Sequence, residues 1–92
     1  MKQNDAVSDA ELHSIKERCN KATPGPWISY VEGRDHFSGS NFIMTGGGDL
    51  EIHGGTIEDQ EFVAHARQDI PRLIKEIERL KKVIDDKKEI QK

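Results

Sequence analysis

Ninety-two residues carrying 14 basic and 17 acidic side chains leave room for one small domain and exclude a multidomain enzyme. Leu, Ile, Val and Phe number 4, 10, 4 and 3, a share just above the roughly 20% below which chains tend to stay disordered. Such a chain has little material for a core of its own, and packing against another copy is the simplest way to bury more surface.

No apolar run approaches the roughly 20 residues that span a bilayer, and the polar start Met1-Lys2-Gln3-Asn4-Asp5 is no secretory signal. The single cysteine, Cys19, has no internal partner, which fits a reduced, cytoplasmic protein. Residues 1–69 carry an excess of acid and residues 70–92 a modest excess of base. That tail lacks the interleaved aromatics of a polynucleotide-binding surface, but it suits a small anion.

Residues 1–7 are read as a disordered leader, and 8–92 as a single α+β domain. Ser8-Asp9-Ala10-Glu11 is a capping box, and Leu12, Ile15 and Cys19 recur at helical spacing behind it. Thr23-Pro24-Gly25-Pro26 ends this helix, because proline removes a donor and drives its predecessor toward extended backbone. From Trp27 to His53 the period falls to two. Trp27–Val31, Phe42–Met44 and Leu50–Ile52 are separated by glycine-rich turns, which predicts a three-stranded antiparallel meander.

Thr56-Ile57-Glu58-Asp59 opens a short helix with Phe62, Val63 and Ala66 on its apolar side. Asp69 reads as a fresh N-cap with Pro71 in the first turn, so a break is expected near Gln68. A long helix over about 69–90 follows. Ile70, Leu73, Ile77, Leu80 and Ile84 fall at alternating a and d positions of a heptad, the pattern of a homodimer or higher-oligomer seam.

No catalytic constellation emerges. The four histidines sit on separate elements without metal-ligand spacing, Cys19 lies on an apolar helix face, and Ser38-Gly39-Ser40 is a loop. No enzyme, metal or cofactor is expected. Gly46-Gly47-Gly48 reads as a hairpin loop or, with exposed amides, as an anion nest. Trp27 is a core anchor or a stacking face for a base. Arg72, Lys75 and Arg79, at i, i+3 and i+7, form a solvated cationic face or an anion site.

Two stretches, Ala22-Thr23-Pro24-Gly25-Pro26-Trp27 and Asp59 to Leu80 with its Glu61-Phe62-Val63-Ala64-His65-Ala66-Arg67-Gln68-Asp69-Ile70-Pro71 run, resemble small proteins encoded by phages and prophages. One branch that the chain looks like is the Thoeris anti-defence sponge family. Its members are homo-oligomers that bind cyclic ADP-ribose isomers, some also cyclic oligonucleotides, and sequester these immune signals without cleaving them. The resemblance covers roughly a third of the chain and leaves the sheet unaligned. It implies ligand contacts at Trp27, Asp59, Glu61 and Phe62 and at the basic residues Arg67, Arg72, Lys75 and Arg79. It also implies action in the cytoplasm of an infected bacterial host, with a small cyclic nucleotide and self as partners, and no polynucleotide or membrane. The competing expectation is a protein–protein module of phage origin built on the short coiled-coil helix.

Overall fold

The computed structural model describes residues 6–90, with side chains through Lys88. Most of the expected leader, residues 1–5, lies outside them. The order is α1 (Asp9–Lys21), β1 (Ile28–Tyr30), β2 (Phe42–Thr45), β3 (Gly48–Leu50) and α2 (Ile57–Ile90). This is the expected α+β arrangement of an N-terminal helix, a three-stranded antiparallel sheet and a long C-terminal helix.

The helix starts are local chemistry. Ser8 Oγ accepts from the Glu11 amide at 3.1 Å, and the Glu11 carboxylate accepts from the Ser8 amide at 2.9 Å. Thr56 and Asp59 repeat the exchange before α2, each bond 3.0 Å. These reciprocal bonds satisfy amides that have no partner inside the helix.

The sheet is a meander in the order β1-β2-β3, with Ser29 opposite Ile43 and Ile43 opposite Leu50. One face meets α2, and there Ile43 is fully buried, with Ala64 closed over by the sheet. On the other face Tyr30 stacks on Phe42 with centroids 5.3 Å apart, and His36 packs edge-on against both rings. The third strand begins two residues earlier than expected. Thr45 pairs with Gly48 across a two-residue Gly46-Gly47 turn, so the register is set by the turn and β3 ends at Leu50. The Gly47 amide is bonded to Thr45 Oγ1 at 3.0 Å, and a Cβ on Gly47 would press on Thr23. The loop is therefore a docked hairpin, with that amide already occupied.

The clearest departure is in α2. The expected break near Gln68 is absent: residues 57–90 form one helix with Pro71 in its interior and Asp69 a mid-helix residue. Proline at 71 cannot donate to the Arg67 carbonyl, a loss that normally kinks or ends a helix. Tertiary bonds hold both sides of the gap. Gln68 Oε1 accepts from the Trp27 amide at 2.8 Å, while its Nε2 donates to the Trp27 and Ala64 carbonyls. One turn beyond the proline, Ile74 is buried at 4% exposure under α1.

Helix α1 lies antiparallel along the middle of α2. Lys16 pairs with Glu78 at 2.8 Å, and Lys81 with Asp9. The last turns of α2 extend past the start of α1, and the fold is long and narrow, 63 × 32 × 22 Å. Among the described residues no helix is long and apolar enough to cross a membrane, and no group of three or more His, Cys, Asp or Glu is placed to hold a metal ion.

Candidate functional site

The two stretches that carry the family resemblance are bound to each other. Arg67, on α2, reaches across to α1, donating from Nε to the Thr23 carbonyl at 2.8 Å and from Nη2 to the Cys19 carbonyl at 3.0 Å. A cation capping the C-terminal carbonyls of a helix also opposes the negative end of its dipole. The Trp27 indole N–H donates to the same Thr23 carbonyl at 3.1 Å, so Trp27 and Arg67 converge on one oxygen. Gln68 then grips the Trp27 backbone from both sides.

This corner frames a cleft of about 250 Å³ between α1, Trp27 and α2. Its apolar walls are Ile15, Cys19, Trp27, Val63, Ala66 and Ile70, and Arg18 and Arg67 stand at its rim. Arg18 is exposed, and its guanidinium makes no hydrogen bond or ion pair among the described residues. It is the cation here with donors to spare, whereas two of the Arg67 donor nitrogens are committed. An apolar slot holding one aromatic plane and an available guanidinium fits a flat, anionic small molecule.

Of the sequence-derived candidates, Trp27 and Arg67 meet in this cleft. Phe62, 74% exposed on α2, is not among the residues that line it. Asp59 and Glu61 are elsewhere. Asp59 caps α2. Glu61 holds the β1–β2 loop, pairing with Arg34 at 3.2 Å. A hydrogen bond from Ser29 and then the Arg34 guanidinium keep the Glu61 carboxyl below its ordinary range. Arg34 also binds Asp35 at 2.8 Å, which lowers the Asp35 carboxyl in the same way, and the two carboxylates raise Arg34.

Arg72, Lys75 and Arg79 form a separate open groove with Asp69, Leu73 and Glu76. At 100° per residue they point about 150° away from the Ile70–Ile77–Ile84 line. A second copy packed along that line leaves them outside the seam. Arg79 is bound to Glu76 by two hydrogen bonds, 3.0 and 2.6 Å. Arg72 and Lys75 have no ion-pair partner among the described residues.

Sequence reasoning missed Arg18 because the facing wall of the cleft, Val63, Ala66 and Ile70 on α2, comes from 45 or more positions away. The signal was its place beside Cys19 and one turn after Ile15, on the apolar side of α1. It also missed Gln60, which is 3% exposed and donates from Nε2 to Ser29 Oγ, Tyr30 O and Phe42 O at 2.8, 3.1 and 3.2 Å. That amide fastens β1 and β2 to α2.

No protein-family model matches the chain, and no curated protein or solved structure matches it.

Proposed function

We propose that this chain is a phage anti-defence protein that binds and sequesters a host cyclic-nucleotide signal, in the host cytoplasm, without cleaving it. Copies of the chain associate along α2. The observation that carries the reading is that two walls of the Trp27 cleft, Val63 and Ile70, belong to the exposed apolar line that continues through Leu73, Ile77, Leu80 and Ile84. Leu73 is 61% exposed and Ile84 54%, a run of aliphatic surface that favours a partner. Association along it completes the cleft at the same time. Trp27 supplies a stacking plane for a base, and Arg18 supplies donors for a phosphate or pyrophosphate.

Calorimetry with a cyclic ADP-ribose isomer and with a cyclic dinucleotide tests this directly. The proposal expects saturable binding of one of them, a higher melting temperature with ligand, and intact nucleotide released on denaturation. Arg18→Ala should weaken binding by about tenfold or more, as loss of a charged hydrogen bond does, while Arg79→Ala leaves it unchanged. A nucleotide converted to product, or no binding by a well-folded oligomer, would refute sequestration. The second outcome would favour a protein–protein module, which the same apolar line supports.

A further inference from the structure

The bonds that build the Trp27 corner also use up its acceptors. The Thr23 carbonyl receives two donors, Arg67 Nε at 2.8 Å and the Trp27 indole N–H at 3.1 Å, which fills both of its lone pairs. The Cys19 carbonyl receives Arg67 Nη2 at 3.0 Å. Gln68 Oε1 accepts from the Trp27 amide, and the Trp27 carbonyl accepts from Gln68 Nε2. Among the described residues, no carboxylate, carboxamide, hydroxyl or imidazole side chain lines the cleft. The strong hydrogen-bonding side-chain groups left there are all donors, the Arg18 guanidinium and Nη1 of Arg67.

Such a lining takes a flat ring and an anion, but no side chain in it receives the edge N–H groups that distinguish adenine from guanine. An edge amine pressed against these walls would be buried without an acceptor, a costly arrangement. The ring is better laid on Trp27 with its polar edge in water. Size asks for the same pose. The cleft holds about 250 Å³, below the roughly 300–1,000 Å³ that encloses a whole drug-sized ligand. One ring and the adjoining phosphate fit, and the rest of the ligand stays outside. Trp27 is prepared for this, because three hydrogen bonds already fix its indole and backbone and stacking has little left to order.

We infer that the Trp27 cleft selects a flat purine ring on a closed, charged phosphodiester and does not read which purine or which sugar the ligand carries. The inference rests on the nucleotide binding proposed above and adds its specificity. Stacking tolerates every base, since each has a π-face, and Arg18, given to the phosphate, is not free to read an edge. A site that bonds a ligand's polar groups rejects an analogue lacking them by about 10,000-fold or more, whereas apolar walls discriminate by about 10–200-fold. Ring closure supplies the remaining selection, because an open chain must lose more freedom on binding.

Calorimetric titration of the natural chain reads this out without any substitution. The probes are the cyclic dinucleotides of adenine, guanine and uracil, the 2′-deoxy form of the adenine ligand, and the linear dinucleotide made by opening its ring. The three cyclic purine ligands should agree within about tenfold, and the uracil ligand, with less surface to stack, should be weaker than all of them. The opened ring should bind about tenfold more weakly than the closed one. Each bound ring should quench the fluorescence of Trp27, the sole tryptophan. A larger spread among the purine ligands, tightest binding by the uracil ligand, an opened ring that binds as well as the closed one, or binding without quenching overturns the inference and leaves sequestration standing. Binding confined to a cyclic ADP-ribose isomer does the same. A folded chain that binds none of these nucleotides overturns both.

Discussion

Replacing Gln60 tests the joint between sheet and helix. Its Nε2 carries two protons and faces three acceptors, the Tyr30 and Phe42 carbonyls and Ser29 Oγ, in a site open to solvent by only 3%. Gln60→Leu keeps the volume and removes every donor. Each hydrogen bond contributes about 1 kcal/mol net, and a buried acceptor left alone costs about 1–3 kcal/mol. Part of that is offset by the apolar burial of leucine, so the loss should be about 2–3 kcal/mol. For a small domain with an m-value near ~1 kcal/mol/M in urea, the midpoint should fall by about 2–3 M. Trp27, the sole tryptophan, reports the transition by fluorescence. Protein concentration must be held constant, because association also stabilises.

Gln60→Glu sharpens the test. Above pH 6 a carboxylate would face three oxygens in a buried site, so folding should raise its pKa. The penalty is then complete above the folded pKa and fades as pH falls through it toward the unfolded value of about 4.3. Gln60→Glu should be less stable than Gln60→Leu at pH 7 and should regain stability relative to it near pH 4.5, where a protonated acid donates one bond. A Gln60→Leu midpoint within 0.5 M of the natural chain, or a Gln60→Glu penalty independent of pH, would refute the claim that this amide joins the two layers.

Other consequences follow from the same contacts. Pro71→Ala restores the missing amide in a helix that is already continuous, and should stabilise the protein by about 1–2 kcal/mol, read as a higher melting temperature. The lowered Glu61 carboxyl contributes stability that is present above its ordinary range and is lost as pH falls through its folded value. Glu61→Gln should therefore flatten the acid limb of stability below about pH 5, followed by circular dichroism against pH. Ile77→Lys places a charge in the middle of the exposed seam, where the side chain is 39% open in the single chain. It should shift sedimentation to monomer with little change in helix content.

What was legible before folding was what neighbouring residues decide among themselves. Ser8 with Glu11 and Thr56 with Asp59 cap helices through bonds spanning three residues, and those starts are where the sequence placed them. The alternation through Trp27–Val31 and Phe42–Met44 announced strands, and the aliphatic period after Ile70 announced a helix, because side-chain periodicity is a property of the local backbone. The fate of Gln68–Pro71 was not local. Read alone, Asp69 and Pro71 start a helix; in the fold, bonds from Gln68 to Trp27, 41 positions away, and the burial of Ile74 carry the helix through. The site followed the same rule. The resemblance implied Arg67 as a ligand contact, yet long-range geometry turned it toward the carbonyls at the end of α1 and left Arg18 as the available cation. Asp59 and Glu61 were likewise claimed by a cap and by Arg34. A residue type states what chemistry is possible, and only the packing of distant segments settles which groups still have bonds to give.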